Sequence, residues 1–129
     1  MQYMLLIYNN EADWQNLPPT AREALMKEYE AFADSIVKSG QFKAADRLSP
    51  SSSATTVRVR DGKTLTTDGP FAETKEQLGG YFLIEAEDLD AAVAVAARIP
   101  SACAGCVEVR PLWQSGMLED RPAVVRSAC

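Results

Sequence analysis

The sequence predicts a single α+β domain, and three observations carry that expectation. Residues 2–8 and 80–86 hold apolar side chains on both strand parities, as strands buried on both faces do. Residues 20–39 and 88–99 instead carry apolar residues at helical spacing behind recognisable start signals. Between them, Asp61-Gly62 separates two β-prone runs and is a favoured dipeptide of a two-residue hairpin turn.

In chain order, the first strand places Tyr3, Leu5 and Ile7 on one parity and Met4, Leu6 and Tyr8 on the other. Residues 9–19 read as a polar loop carrying Trp14. Thr20-Ala-Arg-Glu23 has the capping-box pattern with Pro19 just before it, so a helix starts there. Leu25, Tyr29, Phe32 and Ile36 follow as one apolar stripe, and Gly40 suits the position just past the helix end. Residues 42–48 read as a second strand, followed by a Ser/Pro turn and then the hairpin strands at 55–60 and 63–67. Gly79 and Gly80, at the entry to the next strand, indicate a bulge or a close backbone approach. Asp88 caps a second helix, with Leu89, Val93 beside Ala92, Ala96 and Ile99 as its stripe and Pro100 as its stop. Residues 106–112 form the last strand, with Val107 and Val109 alternating against Glu108 and Arg110. Residues 1–113 make up the domain, and residues 114–129 are a C-terminal tail without a clear period.

This order of elements is the ferredoxin-like βαββαβ arrangement with an inserted β-hairpin. Two helices cover one face of such a sheet, yet two of its strands carry large apolar groups on the other face as well. A second copy of the same sheet is the simplest cover, so the pattern predicts a homodimer.

Composition narrows the partners. One chain of 129 residues with a formal net charge of −5 and scattered basic residues argues against a nucleic-acid partner. No apolar run approaches the roughly 18 residues of a membrane span. The opening residues lack the basic segment and cleavage site of a signal peptide, and the expected location is cytoplasmic. Three cysteines cannot all pair within one chain, which suits a reducing compartment. Cys103-Ala-Gly-Cys106 has redox or metal spacing, but it follows a helix and precedes a strand, the reverse of the thioredoxin placement. A zinc site would need further ligands, and the chain has no histidine and one other cysteine, Cys129. No metal, haem or nucleotide cofactor is expected. Gly79-Gly80 leads into a strand, whereas phosphate-binding glycine loops lead into a helix. Without histidine, acid–base work falls to carboxylates, Tyr, Lys or Cys.

The densest stretch is residues 68–85, which joins an acid, a rigid Gly-Pro turn, a charged loop and a Gly-Gly entry into an apolar strand. It resembles the signature of the DGPF branch of the YCII-related family. Met4-Leu-Leu-Ile-Tyr8, Ala54-Thr-Thr-Val-Arg-Val-Arg60 and Val107-Glu-Val-Arg-Pro111 resemble that family too, so the likeness covers about the first 112 residues. The resemblance implies a dimeric α+β barrel. It also implies a functional range that runs from accessory proteins encoded beside extracytoplasmic-function sigma factors to small enzymes with a His–Asp pair. One of those enzymes acts on a chlorinated aromatic ring. With no histidine here, only the acid of that pair has a counterpart, at Asp68.

Two functions from different classes follow. One is a small-molecule-binding or regulatory protein; the other is a cofactor-free lyase or isomerase on a polar ring compound, with Asp68 as general acid/base. Asp68 itself reads either as an Asx turn that fixes the loop or as a titratable group at a cleft mouth. Phe71 reads as an apolar plug pinning that loop or as the wall of a ligand pocket. Arg110 shares a strand face with Glu108. It binds a carboxylate ligand if that face is the inner one, and otherwise forms a surface ion pair. Tyr8 is a core or interface residue, or its hydroxyl reaches the cleft.

Overall fold

The computed structural model describes residues 1–113, which divide into a sheet unit, Met1–Ser49 with Thr74–Leu112, and a hairpin unit built on Pro50–Glu73. The expected tail at residues 114–129 lies outside the described residues. In chain order the elements are β1 (Gln2–Asn9), α1 (Glu11–Asn16), α2 (Pro19–Lys38), β2 (Phe42–Arg47), β3 (Thr55–Arg60), β4 (Lys63–Asp68), β5 (Gln77–Glu85), α3 (Leu89–Ala96) and β6 (Cys106–Pro111). Short 3₁₀ turns at Ser51–Ser53 and Pro100–Ala102 complete the chain path.

The sheet unit holds one antiparallel four-stranded sheet in the order β2-β5-β1-β6. That is the ferredoxin-like order, and the expected α+β architecture is the one found. Its core lies on one face. Tyr3, Leu5 and Ile7 of β1 and Phe82 and Ile84 of β5 pack with Phe32 and Ile36 of α2 and with Ala92, Val95 and Ile99 of the α3 segment. Leu5, Ile36, Ile84 and Ile99 are fully buried, and burial of this kind contributes about 1.5–3 kcal/mol per large side chain. Phe32 and Phe82 meet edge to face, with ring centroids 5.0 Å apart.

The end of α2 matches the sequence closely. Gly40 has φ +79, Gly40 N–H donates to Val37 O, and Gln41 N–H donates to Ile36 O, which is the paired closure of a Schellman motif. Its start does not match. Pro18 is the cap residue, Pro19 opens the helix, and no side chain caps it, so Thr20 falls inside the first turn. Two successive prolines fix φ and lack N–H groups, which makes a hydroxyl cap unnecessary one residue later. Glu23 pairs instead with Lys27 at 3.9 Å.

The expected polar loop before it is also corrected, since residues 11–16 form the short helix α1. Asn10 caps it, its side chain accepting from Ala12 N–H at 2.9 Å. Six residues are too few to show a period, so the cap is the sequence signal. Arg22 donates to the carbonyls of Trp14 and Gln15 and holds the end of α1 against α2.

In α3 the cap is as expected, Asp88 accepting from Ala91 N–H at 2.8 Å, and Ala92, Ala96 and Ile99 of the expected stripe are buried, but its two larger members within the helix are not. Leu89 is 52 % exposed and Val93 48 %, while Ala92, Val95 and Ala96 are buried.

The hairpin unit is a two-stranded ribbon of β3 and β4 in unbroken register from Thr55↔Asp68 to Arg60↔Lys63. Asp61 at φ 52 and Gly62 at φ 73 make the turn that the dipeptide predicts.

Candidate functional site

Register in the four-stranded sheet decides which residues share the face turned away from the helices. Across that face one row runs Ala44–Leu83–Met4–Arg110, and the next runs Asp46–Tyr81–Leu6–Glu108. Tyr8, on β1, has the same parity as Met4 and Leu6 and opposes Cys106 on β6. Met4, Leu6, Tyr8, Tyr81 and Leu83 are half-buried and none is fully enclosed. The face therefore has an apolar floor of Met4, Leu6 and Leu83 with polar groups toward both ends.

At the β6 end, Arg110 Nε donates to Glu108 Oε2 at 2.8 Å, and its terminal guanidinium nitrogen pairs with the same oxygen. The Tyr8 hydroxyl donates to Glu108 Oε1 at 3.5 Å. Tyr8 and Arg110 are thus joined through Glu108. The available signal was its i, i+2 spacing from Arg110, which puts both on one strand face. At the β2 end, the Tyr81 hydroxyl donates to Asp46 Oδ2 at 3.0 Å. The Asp46 carboxylate holds the Tyr81 phenol above its ordinary pKa, first by accepting that bond and then by its charge.

The two glycines at the entry of β5 serve separate purposes. Gly79 is passed over where Ile7↔Gly80 gives way to Tyr8↔Leu78, which marks a bulge. Gly80 lies so close to β2 that an added Cβ would sit 2.8 Å from Asp46 O. Gly105 is tighter, since a Cβ there would sit 2.0 Å from Tyr8 O. The glycine of Cys103-Ala-Gly-Cys106 is therefore required for the turn to pass β1. Cys103 and Cys106 are free and exposed. Among the described residues, no three Cys, Asp or Glu side chains are grouped to hold a metal ion.

On the helical side, a groove of about 570 Å³ is lined by Glu28, Phe32, Ser35, Arg98, Pro100 and Cys103 among others. Arg98 lies over the Phe32 ring at 5.5 Å and donates to Ser35 Oγ. Nearby in the same unit, Tyr29 hydrogen-bonds the buried Ser101; burial raises its pKa, and the Ser101 bond opposes that rise.

Asp68 and Phe71 belong to the hairpin unit. Asp68 is exposed, its backbone opposes Thr55, and its side chain has no hydrogen bond among the described residues. The loop base is fixed by other groups. Gly69 N–H donates to Ala54 O at 2.7 Å, and Thr56 Oγ1 donates to Gly69 O at 2.8 Å. Phe71 is 82 % exposed, which corrects its reading as a plug. The two backbone-directed bonds already hold the loop base, so the ring is not needed to pin it.

The YCII-related domain matches residues 1–116. The chain belongs to the YCII-related family. An uncharacterized protein of Rhizobium meliloti (strain 1021) is 39 % identical over 114 residues, covering 87 % of this YCII-related chain and 92 % of that protein. Among solved structures, the chain is similar to the 5-chloro-2-hydroxyhydroquinone dehydrochlorinase of Burkholderia phenoliruptrix AC1100, in complex with 2,5-dihydroxybenzoquinone. The TM-score is 0.51 at 13 % identity, over 92 % of this chain and 98 % of that one. At that identity the likeness is one of fold. Among the described residues, no helix is long and apolar enough to cross a membrane.

Proposed function

We propose that this YCII-related chain is a small-molecule-binding accessory or regulatory protein, a cytoplasmic homodimer whose ligand is a polar ring compound held on the open sheet face. The observation that carries this reading is the joined Tyr8–Glu108–Arg110 group beside the apolar floor of Met4, Leu6 and Leu83. Because Glu108 neutralises Arg110, a carboxylate ligand gains little net attraction there. A hydroxylated ring instead donates to Glu108, accepts from Arg110 or Tyr8, and lays its face on the apolar floor. The large side chains of that face also support a second copy as its cover. The assignment to the DGPF branch, and with it the link to an extracytoplasmic-function sigma-factor response, rests on the resemblance of residues 68–85.

The test is calorimetric titration with 5-chloro-2-hydroxyhydroquinone under anaerobic conditions, with benzoate as the comparison. Binding of the hydroxylated ring and not of benzoate is expected. Arg110→Gln and Glu108→Gln should each weaken it about tenfold, about 1.4 kcal/mol. Equal binding by both variants would remove the reading.

A second reading, the cofactor-free lyase or isomerase with Asp68 as general acid/base, draws its support from the dehydrochlorinase of similar fold. Chloride release from the same compound by the native chain, abolished in Asp68→Asn, would select it over binding alone.

A further inference from the structure

Among the described residues, the hairpin unit has no core of its own. No residue from 50 to 73 is fully buried, and all six residues of β4 are exposed. Val57 is 59 % exposed and Leu65 50 %. Its turn is fixed and its register unbroken, yet a two-stranded ribbon alone in water is marginally stable at best. Its two faces differ. Val57, Val59, Thr64 and Thr66 share one, with Asp68 as its one charge, while Arg58, Arg60 and Lys63 share the other with Leu65. Beyond it, the fixed loop base presents Phe71 to the outside.

We infer that the Asp68–Phe71 loop of one copy closes the open sheet face of its partner, so that each ligand site is completed by the other subunit's Phe71. This rests on the dimer proposed above. The chain carries both halves of the contact: a presented aromatic side chain and a half-buried apolar floor on the sheet. The charges agree as well, because the sheet unit is net acidic and the ribbon offers a basic face. A two-fold axis makes the exchange reciprocal and closed, satisfying both surfaces at once. The site then takes its apolar lid from one chain and its polar Tyr8–Glu108–Arg110 group from the other.

The experiment replaces Phe71 with the photoreactive benzoylphenylalanine. Natural-abundance and nitrogen-15-labelled full chains are unfolded together, refolded to the native circular dichroism, and irradiated. Mixed-isotope peptides joining position 71 to β1, β5 or β6 are expected. A dimer that yields only single-isotope cross-links, or mixed ones confined to the helices, overturns this inference and leaves the dimer standing. A monomer in sedimentation overturns both. As a second reading, Phe71→Ala should raise the dimer dissociation constant about tenfold or more, as loss of a buried aromatic anchor does; an unchanged constant overturns the inference.

Discussion

Single residues set the chemistry of the open face through short-range electrostatics. Asp46 favours the protonated Tyr81 phenol, so Asp46→Asn should bring the Tyr81 pKa down toward its ordinary value. An ultraviolet titration of tyrosine ionisation reads this, and a Tyr81 that titrates identically in the variant contradicts the assignment. Tyr29 has a raised pKa as well, chiefly from burial. A raised folded-state value means that its contribution to stability is fully present below the unfolded value of 10.0 and is lost as pH rises through the folded value. Urea unfolding as pH rises above 10.0 should therefore show a steeper loss in the native chain than in Tyr29→Phe. Gly105 is a steric requirement of the same scale. A methyl group there would meet Tyr8 O, so Gly105→Ala should cost at least about 2 kcal/mol, checked by the urea midpoint at constant slope.

At the scale of elements, caps and turns were legible, and the orientation of faces was less so. Asp88 caps α3 as its position before an apolar run implies, and Asp88→Ala should cost about 1 kcal/mol by thermal unfolding. The buried side of α3 was legible in part: Ala92, Ala96 and Ile99 of the expected stripe are buried, whereas the larger Leu89 and Val93 are exposed. In α2 the reverse holds. Phe32 and Ile36 lie on the predicted stripe and are buried, since a twenty-residue helix gives the periodicity room to be unambiguous.

For the molecule as a whole, the open sheet face is where sequence and structure agree on an unfinished surface. Both strand parities of β1 are apolar, and one of them remains half-buried in the single chain. A dimer at micromolar concentration is the expected outcome of sedimentation. Leu6→Asp, which puts a charge at the centre of that face, should shift the protein to monomer while leaving its helical circular dichroism intact. In the hairpin unit, too, none of residues 50–73 is fully buried.

Some of this was determined by the sequence alone. Strand parity, the Asp61-Gly62 turn, the Gly40 helix end and the Asp88 cap all follow from interactions within a few residues, where backbone geometry and solvation act without help from the rest of the chain. The exclusion of histidine chemistry followed from composition. The Tyr8–Glu108–Arg110 group did not, because Tyr8 and Glu108 are 100 positions apart and meet only through the register of β1 against β6. Nor did the need for Gly105, which depends on how close one turn passes to a carbonyl on another strand. Tertiary structure decided these points because register and clearance are properties of paired strands, and no single strand contains them.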